Sequence, residues 1–144
     1  MDTKQNVLVL FLRWIVAIVF IYAGVVKIIN PSSFAEAIDN YRILPYFLVT
    51  LTAATLPWIE LICGLLLIFG KWIRGSSLIL ILLNLVFLFA IGSALARGLD
   101  ISCGCFSETG EGAKVGIARL GEDFILLMAT AFIYMKNILR DAQN

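Results

Sequence analysis

Cys103, Gly104 and Cys105 stand together in a chain that has three cysteines in all. A disulfide between residues two apart closes a very small ring, and its geometry is strained. Strained, exposed disulfides are more oxidising and exchange more readily than structural ones. Gly104 helps such a ring, because glycine reaches backbone angles closed to other residues. The next residue, Phe106, is an aromatic side chain able to shield the pair. Two other readings stay open. The cysteines could be small residues of a glycine-rich loop with no joint role. They could also offer two thiolates to a thiophilic ion such as Cu(I). Structural zinc takes four Cys or His ligands, so zinc would need donors from elsewhere.

Glu60 is the second residue with chemical potential, because it sits inside an apolar stretch. A charged side chain at the centre of a membrane span costs about 2.5–3.5 kcal/mol on insertion scales, so it must find a partner or take up a proton. It therefore reads either as a proton relay or as half of a buried pair with Arg13, Lys27 or Asn84. Cys63 follows three residues on, on roughly the same helix face. It reads as a small apolar filler, or as a third thiol in relay with the loop pair. Arg119, Glu122 and Asp123 form a third group. Arg119 and Asp123 are four apart and can pair along a helix, and acids suit a helix N-terminus. A cation near a cysteine, Arg119 or Lys27, would favour the thiolate. These residues predict a polar pocket beneath the cysteine loop.

The elements that must hold these groups follow from composition. Apolar residues make up 61% of the chain and charged residues 15%. Soluble domains carry roughly a quarter charged residues. So much apolar surface cannot be buried inside a soluble 144-residue core, and part of the solvent must be lipid. The length allows one domain. A net charge of +1 argues against nucleic-acid binding. With no histidine in the chain, a histidine-ligated haem and an imidazole proton shuttle are both excluded.

The pattern predicts an all-α integral membrane protein, an antiparallel four-helix bundle spanning the bilayer at about residues 7–29, 47–69, 76–96 and 117–134. At ~1.5 Å per residue such stretches cross, or nearly cross, a ~30 Å hydrocarbon layer. The first reads as a retained span, because no Ala-x-Ala cleavage site follows it. Pro31 suits a first helical position, and Ser33 with Glu36 has the spacing of a capping box. Phe34, Ile38 and Tyr41 then share one face, which predicts a short amphipathic helix at the membrane surface. Pro57 should kink the second span. The short turn from Gly70 to Gly75 makes the third span return antiparallel. Residues 97–116 hold five glycines and the cysteine pair, and form the last loop.

Four spans place both termini on one side, together with the turn at Lys71 and Arg74. That side carries Lys4, Lys71, Arg74, Lys136 and Arg140, against Arg42, Arg97 and Lys114 in the opposite loops. The positive-inside rule then predicts cytoplasmic termini in a bacterial inner membrane. The Cys-Gly-Cys loop is extracytoplasmic, where disulfides form and persist.

The order of these features resembles a known family. Arg13, Phe20, Ala23-Gly24, Lys27, Pro31, Phe34, Tyr41 and Pro45 are followed by Leu56-Pro57, Glu60 and Gly64. Cys103-Gly104-Cys105-Phe106, Arg119 and Asp123 complete the series. The chain resembles the DoxX-like membrane proteins and, within them, the methylamine-utilisation MauE-type branch. The resemblance covers nearly the whole chain. It implies four membrane helices associated with thiol redox chemistry and, in that branch, maturation of a disulfide-rich periplasmic dehydrogenase.

The expected function is extracytoplasmic thiol–disulfide exchange. Cys103 and Cys105 exchange, Arg119 or Lys27 favours the thiolate, Asp123 orients the cation and Glu60 handles protons. A quinone is the conjectured electron acceptor, and a thioredoxin-like or disulfide-rich periplasmic protein the expected partner. An oligomer is compatible with this scheme. Two other classes compete: a non-enzymatic assembly factor for a redox enzyme, and a small-solute or soft-metal transporter.

Overall fold

The computed structural model describes the backbone of residues 3–98 and 112–142, and the side chains of residues 7–98, 118 and 120–142. These form five helices: α1 Thr3–Ile29, α2 Pro31–Asn40, α3 Tyr46–Phe69, α4 Ile73–Ala96 and α5 Gly112–Ala142. Among the described residues, α1 (over Val7–Ile29), α3 and α4 are long and apolar enough to cross a membrane. The fourth expected span falls within α5. That helix is 31 residues long, but Lys114, Arg119, Glu122 and Asp123 occupy its first part and Lys136 its last. Its uncharged run is confined to residues 124–135, short of the ~20 residues that a span needs.

Local chemistry sets the helix ends. Asn30 precedes the first turn of α2 and Pro31 occupies its first position, where a missing N–H costs nothing and φ is preset. Ser33 therefore lies inside the first turn. The expected capping box is not formed at the boundary, and Asn30 makes no side-chain cap bond. At the end of α3, Gly70 turns left-handed at φ 68°. The amides of Gly70 and Lys71 return to the carbonyls of Leu67 and Leu66 at 3.3 and 3.1 Å, a Schellman closure. Trp72 is also left-handed, at φ 52°, and starts α4 three residues ahead of the expected boundary. Its carbonyl accepts from the Ser76 amide at 2.9 Å and from the Ser76 hydroxyl at 3.0 Å.

Two glycines bring α1 and α3 into close contact. A Cβ on Gly24 would lie 2.9 Å from the Pro57 carbonyl oxygen, and one on Gly64 would lie 3.1 Å from the Ala17 carbonyl oxygen. Small residues at such crossings let backbones approach, as packing between membrane helices requires. Arg13 of α1 lies beside Gly70, which follows α3, at one end, and Lys27 meets Glu60 toward the other, so the two helices are antiparallel. Helix α4 runs back against α3, and across the bundle its side chains reach those of α1, with Leu80 in one cluster with Phe20 and Phe87 against Lys27. Helix α5 returns against α4. Ile133 shares the Leu80 cluster, Leu120 packs on Ile91 and Ala94, and Arg74 pairs with Asp141.

The core of the described residues has three parts, one of them Tyr41 with Ile91 and Ala94. Val16, Ala17, Phe20, Cys63, Leu67, Leu80 and Ile133 form a central layer. Phe34 and Ile38 of α2 pack on Val49, Ala53 and Leu56 of α3. The amphipathic face expected of α2 is real, because Phe34, Ala37, Ile38 and Tyr41 are buried. That face is spent on protein, however, and not on a membrane surface. The outside of the bundle is apolar, with Phe11, Phe47, Phe89 and Ile125 all more than half exposed. Patches of this extent on a soluble protein would be interaction or aggregation sites. On membrane helices they are the lipid-facing surface.

Candidate functional site

Glu60 finds Lys27. The Lys27 Nζ donates to Glu60 Oε1 at 2.8 Å and to Oε2 at 2.9 Å, and both side chains are buried, at 7% and 3% exposure. The α1–α3 register produces this pairing. Gly24, one turn before Lys27, lets α1 reach the α3 backbone at Pro57, one turn before Glu60. Of the three candidate partners, Arg13 is held at the far end beside Gly70, and Asn84 lies on α4. Two rings complete the cation's surroundings. Phe34 of α2 and Phe87 of α4 approach the Lys27 Nζ at 4.9 and 4.8 Å from their centroids. Cation–π contacts gain most where water is excluded. An ion pair so enclosed holds four helices together and is costly to break from one side.

Arg97 ties down the end of α4. Its Nη2 donates to the Tyr41 carbonyl, and its Nε donates to the Ser93 carbonyl at 3.2 Å. Tyr41 follows α2 directly, so this contact joins the end of α2 to the residue six positions before Cys103. Tyr41 also packs on Ile91 and Ala94, with Leu120 of α5 against them. Both helices that flank the cysteine segment thus meet at the α2 end of the bundle.

An apolar groove of about 140 Å³ opens beside this point. Ile38, Tyr41 and Leu44 line it together with Thr52 and Leu56 of α3 and Phe87 of α4. Phe87 separates the groove from Lys27. The mouth lies among Ile43, Val86 and Phe89, which are exposed on the apolar outside of the bundle. A groove of this kind suits a lipid-soluble ring or chain.

The predicted site residues divide three ways. Lys27 and Glu60 are brought together. Asp123 lies half-buried in α5, one turn beyond Leu120, at the same end of the bundle. Cys103 and Cys105 lie outside the described residues, as does the side chain of Arg119. Cys63 belongs to the central apolar layer at 3% exposure. Sequence reasoning missed Phe87, Arg97 and the groove. Phe87 is one of ten phenylalanines in an apolar chain, and nothing local marks it. Arg97 carried a signal, as the one charge between the third span and the cysteines apart from Asp100.

The comparisons with known proteins point to one family. The family model described as "Methylamine utilisation protein MauE" matches residues 5–136. The chain is 31% identical over 109 residues to the Methylamine utilization protein MauE of Methylophilus methylotrophus. That alignment takes in 75% of this chain but 57% of the relative's own length. It is 26% identical over 138 residues to the Methylamine utilization protein MauE of Methylorubrum extorquens, covering 88% of this chain and 74% of the relative. No solved structure matches the chain. The match to the family model runs through all five helices and the segment between α4 and α5, and the chain belongs to the MauE family.

Proposed function

We propose that the protein is a membrane-embedded thiol–disulfide redox protein of a methylamine-utilisation system, acting on extracytoplasmic thiols. The observation that carries this reading is a convergence at one end of the bundle. The buried Lys27–Glu60 pair, the apolar groove and the helix ends that flank the Cys103-Gly104-Cys105 segment all meet there, with Tyr41 shared by groove and flank. On this reading α5 is a fourth crossing, with its first charges in the interfacial region. The termini are cytoplasmic, and the cysteine segment faces outward from a bacterial inner membrane.

The exchange balances as follows. A partner's dithiol attacks the Cys103–Cys105 disulfide. The partner is oxidised to its disulfide, and Cys103 and Cys105 become thiols. The groove residues Ile38, Tyr41 and Phe87 would hold a quinone, which would supply the two-electron, two-proton oxidant needed to return Cys103 and Cys105 from thiols to the disulfide. Arg119 favours the thiolate and Asp123 orients that cation. Lys27 lies against Phe87, through whose ring it backs the groove, and holds Glu60, which passes protons. The names of the relatives support a partner within methylamine utilisation, and a disulfide-rich or thioredoxin-like periplasmic protein fits the chemistry.

The test uses purified protein in lipid nanodiscs with a dithiol peptide and a short-chain quinone. Quinol formation should appear with the intact chain and vanish in Cys103→Ser and Cys105→Ser. If both variants keep full turnover, the redox reading fails. Binding of the dithiol partner without turnover would instead favour a non-enzymatic assembly factor.

A further inference from the structure

Arg13 is a cation that the bundle holds without giving it an acid. It lies within the apolar run of α1, Val7–Ile29, and is half-buried. Its Nε is buried and has no hydrogen-bond partner among the described residues. The ion pairs among those residues use other side chains. The guanidinium rests against the turn that closes α3. A Cβ on Gly70 would lie 3.5 and 3.7 Å from its Nη1 and Nη2 and 3.8 Å from its Cζ. The carbonyls of that turn at Leu66 and Leu67 already accept from the amides of Lys71 and Gly70. Lys71, the residue after Gly70, is exposed and forms no ion pair among the described residues. Asp141, an acid at this end of the bundle, is taken by Arg74.

The level of this corner in the membrane follows from its aromatic residues. Phe69 and Trp72 flank Gly70 and Lys71 and are 71% and 84% exposed, and Trp14, next to Arg13, is 46% exposed. Tryptophans concentrate where hydrocarbon meets the headgroups. An arginine near the end of a span reaches toward that level. The acceptors there are water and lipid phosphate. A guanidinium binds phosphate through two parallel N–H donors. Burial of Nε fixes the fork before a ligand arrives, which lowers the cost of ordering it.

We propose that the corner of Arg13, Gly70 and Lys71 is a binding site for the phosphate of an anionic phospholipid headgroup. Arg13 donates to two phosphate oxygens through Nη1 and Nη2, and Lys71 adds a point charge from the exposed side of the turn. Two cations in one corner favour a lipid of net negative charge. The bound headgroup closes the end of the α1–α3 pair opposite Lys27–Glu60, where no acidic side chain among the described residues joins the two helices. This site is separate from the cysteine segment and stands whether or not the cysteines exchange.

Native mass spectrometry of the full chain, stripped of lipid in a nonionic detergent, tests the site. Phosphatidylglycerol should bind about tenfold more tightly than phosphatidylcholine with the same acyl chains. Arg13→Gln should weaken phosphatidylglycerol binding about tenfold, and Lys71→Gln about threefold. Arg140→Gln removes a like charge next to Asp141 at the same end. It should change the binding less than about twofold. Equal affinity for the two lipids, or native-like binding by Arg13→Gln, overturns the proposal. A loss in Arg140→Gln as large as that in Arg13→Gln also overturns it, because the preference would then belong to the whole basic face. Displacement of phosphatidylglycerol by millimolar inorganic phosphate overturns the lipid assignment and makes the corner a site for soluble anions. If Arg13→Gln does not fold, Lys71→Gln on the exposed turn decides, and unchanged phosphatidylglycerol binding there overturns the proposal.

Discussion

Two ion pairs among the described residues stand in opposite settings. Lys27–Glu60 joins α1 to α3 inside the bundle, at 2.8 Å and with both partners under 10% exposed. Arg74–Asp141 joins α4 to α5 at the other end, at 2.6 Å, with 50% and 54% of its side chains exposed. The shorter contact is the weaker constraint. In water each partner of the exposed pair has an alternative in solvent and counter-ions, so its net worth is about 0–1 kcal/mol. In the bundle neither partner has an alternative, and losing one strands a charge in an apolar medium. Distance describes the geometry of a pair. Burial decides what depends on it.

The largest effect should come from stranding one member of the buried pair. Glu60→Gln leaves the Lys27 ammonium without its carboxylate and should destabilise the protein by about 3–5 kcal/mol, read as a lower thermal midpoint in detergent. The double variant Lys27→Met/Glu60→Leu should recover much of that loss, because it removes both charges. If the double variant is as unstable as the single one, the pair is not the source of the effect.

Next comes the crossing that brings the pair together. In Gly24→Ala the new methyl group would meet a backbone oxygen at 2.9 Å, which cannot swing aside as a side chain can. The helices must separate, at a cost of about 1–3 kcal/mol. Movement of α1 from Pro57 should also loosen Lys27 from Glu60. Gly24→Ala and Glu60→Gln should therefore combine less than additively. Strict additivity would uncouple the crossing from the pair.

A smaller effect is expected at the join between α2 and α4. Arg97→Ala removes the bond to the Tyr41 carbonyl. A charge-assisted bond contributes about 1.5–3 kcal/mol where it is dry and less where water competes, and the exposure of Arg97 places it toward the lower end. Hydrogen exchange should report it locally, as faster exchange in α2 than in α1. The smallest effect is expected for Arg74→Ala. It should shift stability by less than about 1 kcal/mol and lose that effect at high salt. A loss comparable to that of Glu60→Gln would contradict the contrast between the two pairs.

Much of this architecture was legible from particular residues. Gly70 and Pro31 mark helix boundaries because each has a backbone property that other residues lack. The 3–4 spacing of Phe34, Ile38 and Tyr41 marks the buried face of α2. The expected fourth apolar span is not matched by α5, which is not among the described helices apolar enough to cross a membrane. Its charges Glu122 and Asp123 lie inside the helix, and a helix packed on α4 between Leu120 and Asp141 need not be apolar throughout. The face of α2 was legible, but its partner was not. An amphipathic stripe states that something apolar must cover it, and protein or lipid headgroups satisfy that demand equally.

The same division holds for the site. Sequence alone determined that the chain is helical and meets lipid, that Glu60 needs a partner, and that two cysteines share a short segment between helices. Those conclusions follow from composition, periodicity and the cost of a charge in hydrocarbon, which are properties of single segments. Only the tertiary structure decided that the partner is Lys27 and that Phe34 and Phe87 enclose it. Each of these depends on the register between helices. Register is set by where glycines let backbones approach and by how side chains interdigitate across the crossing, and no single segment carries that information.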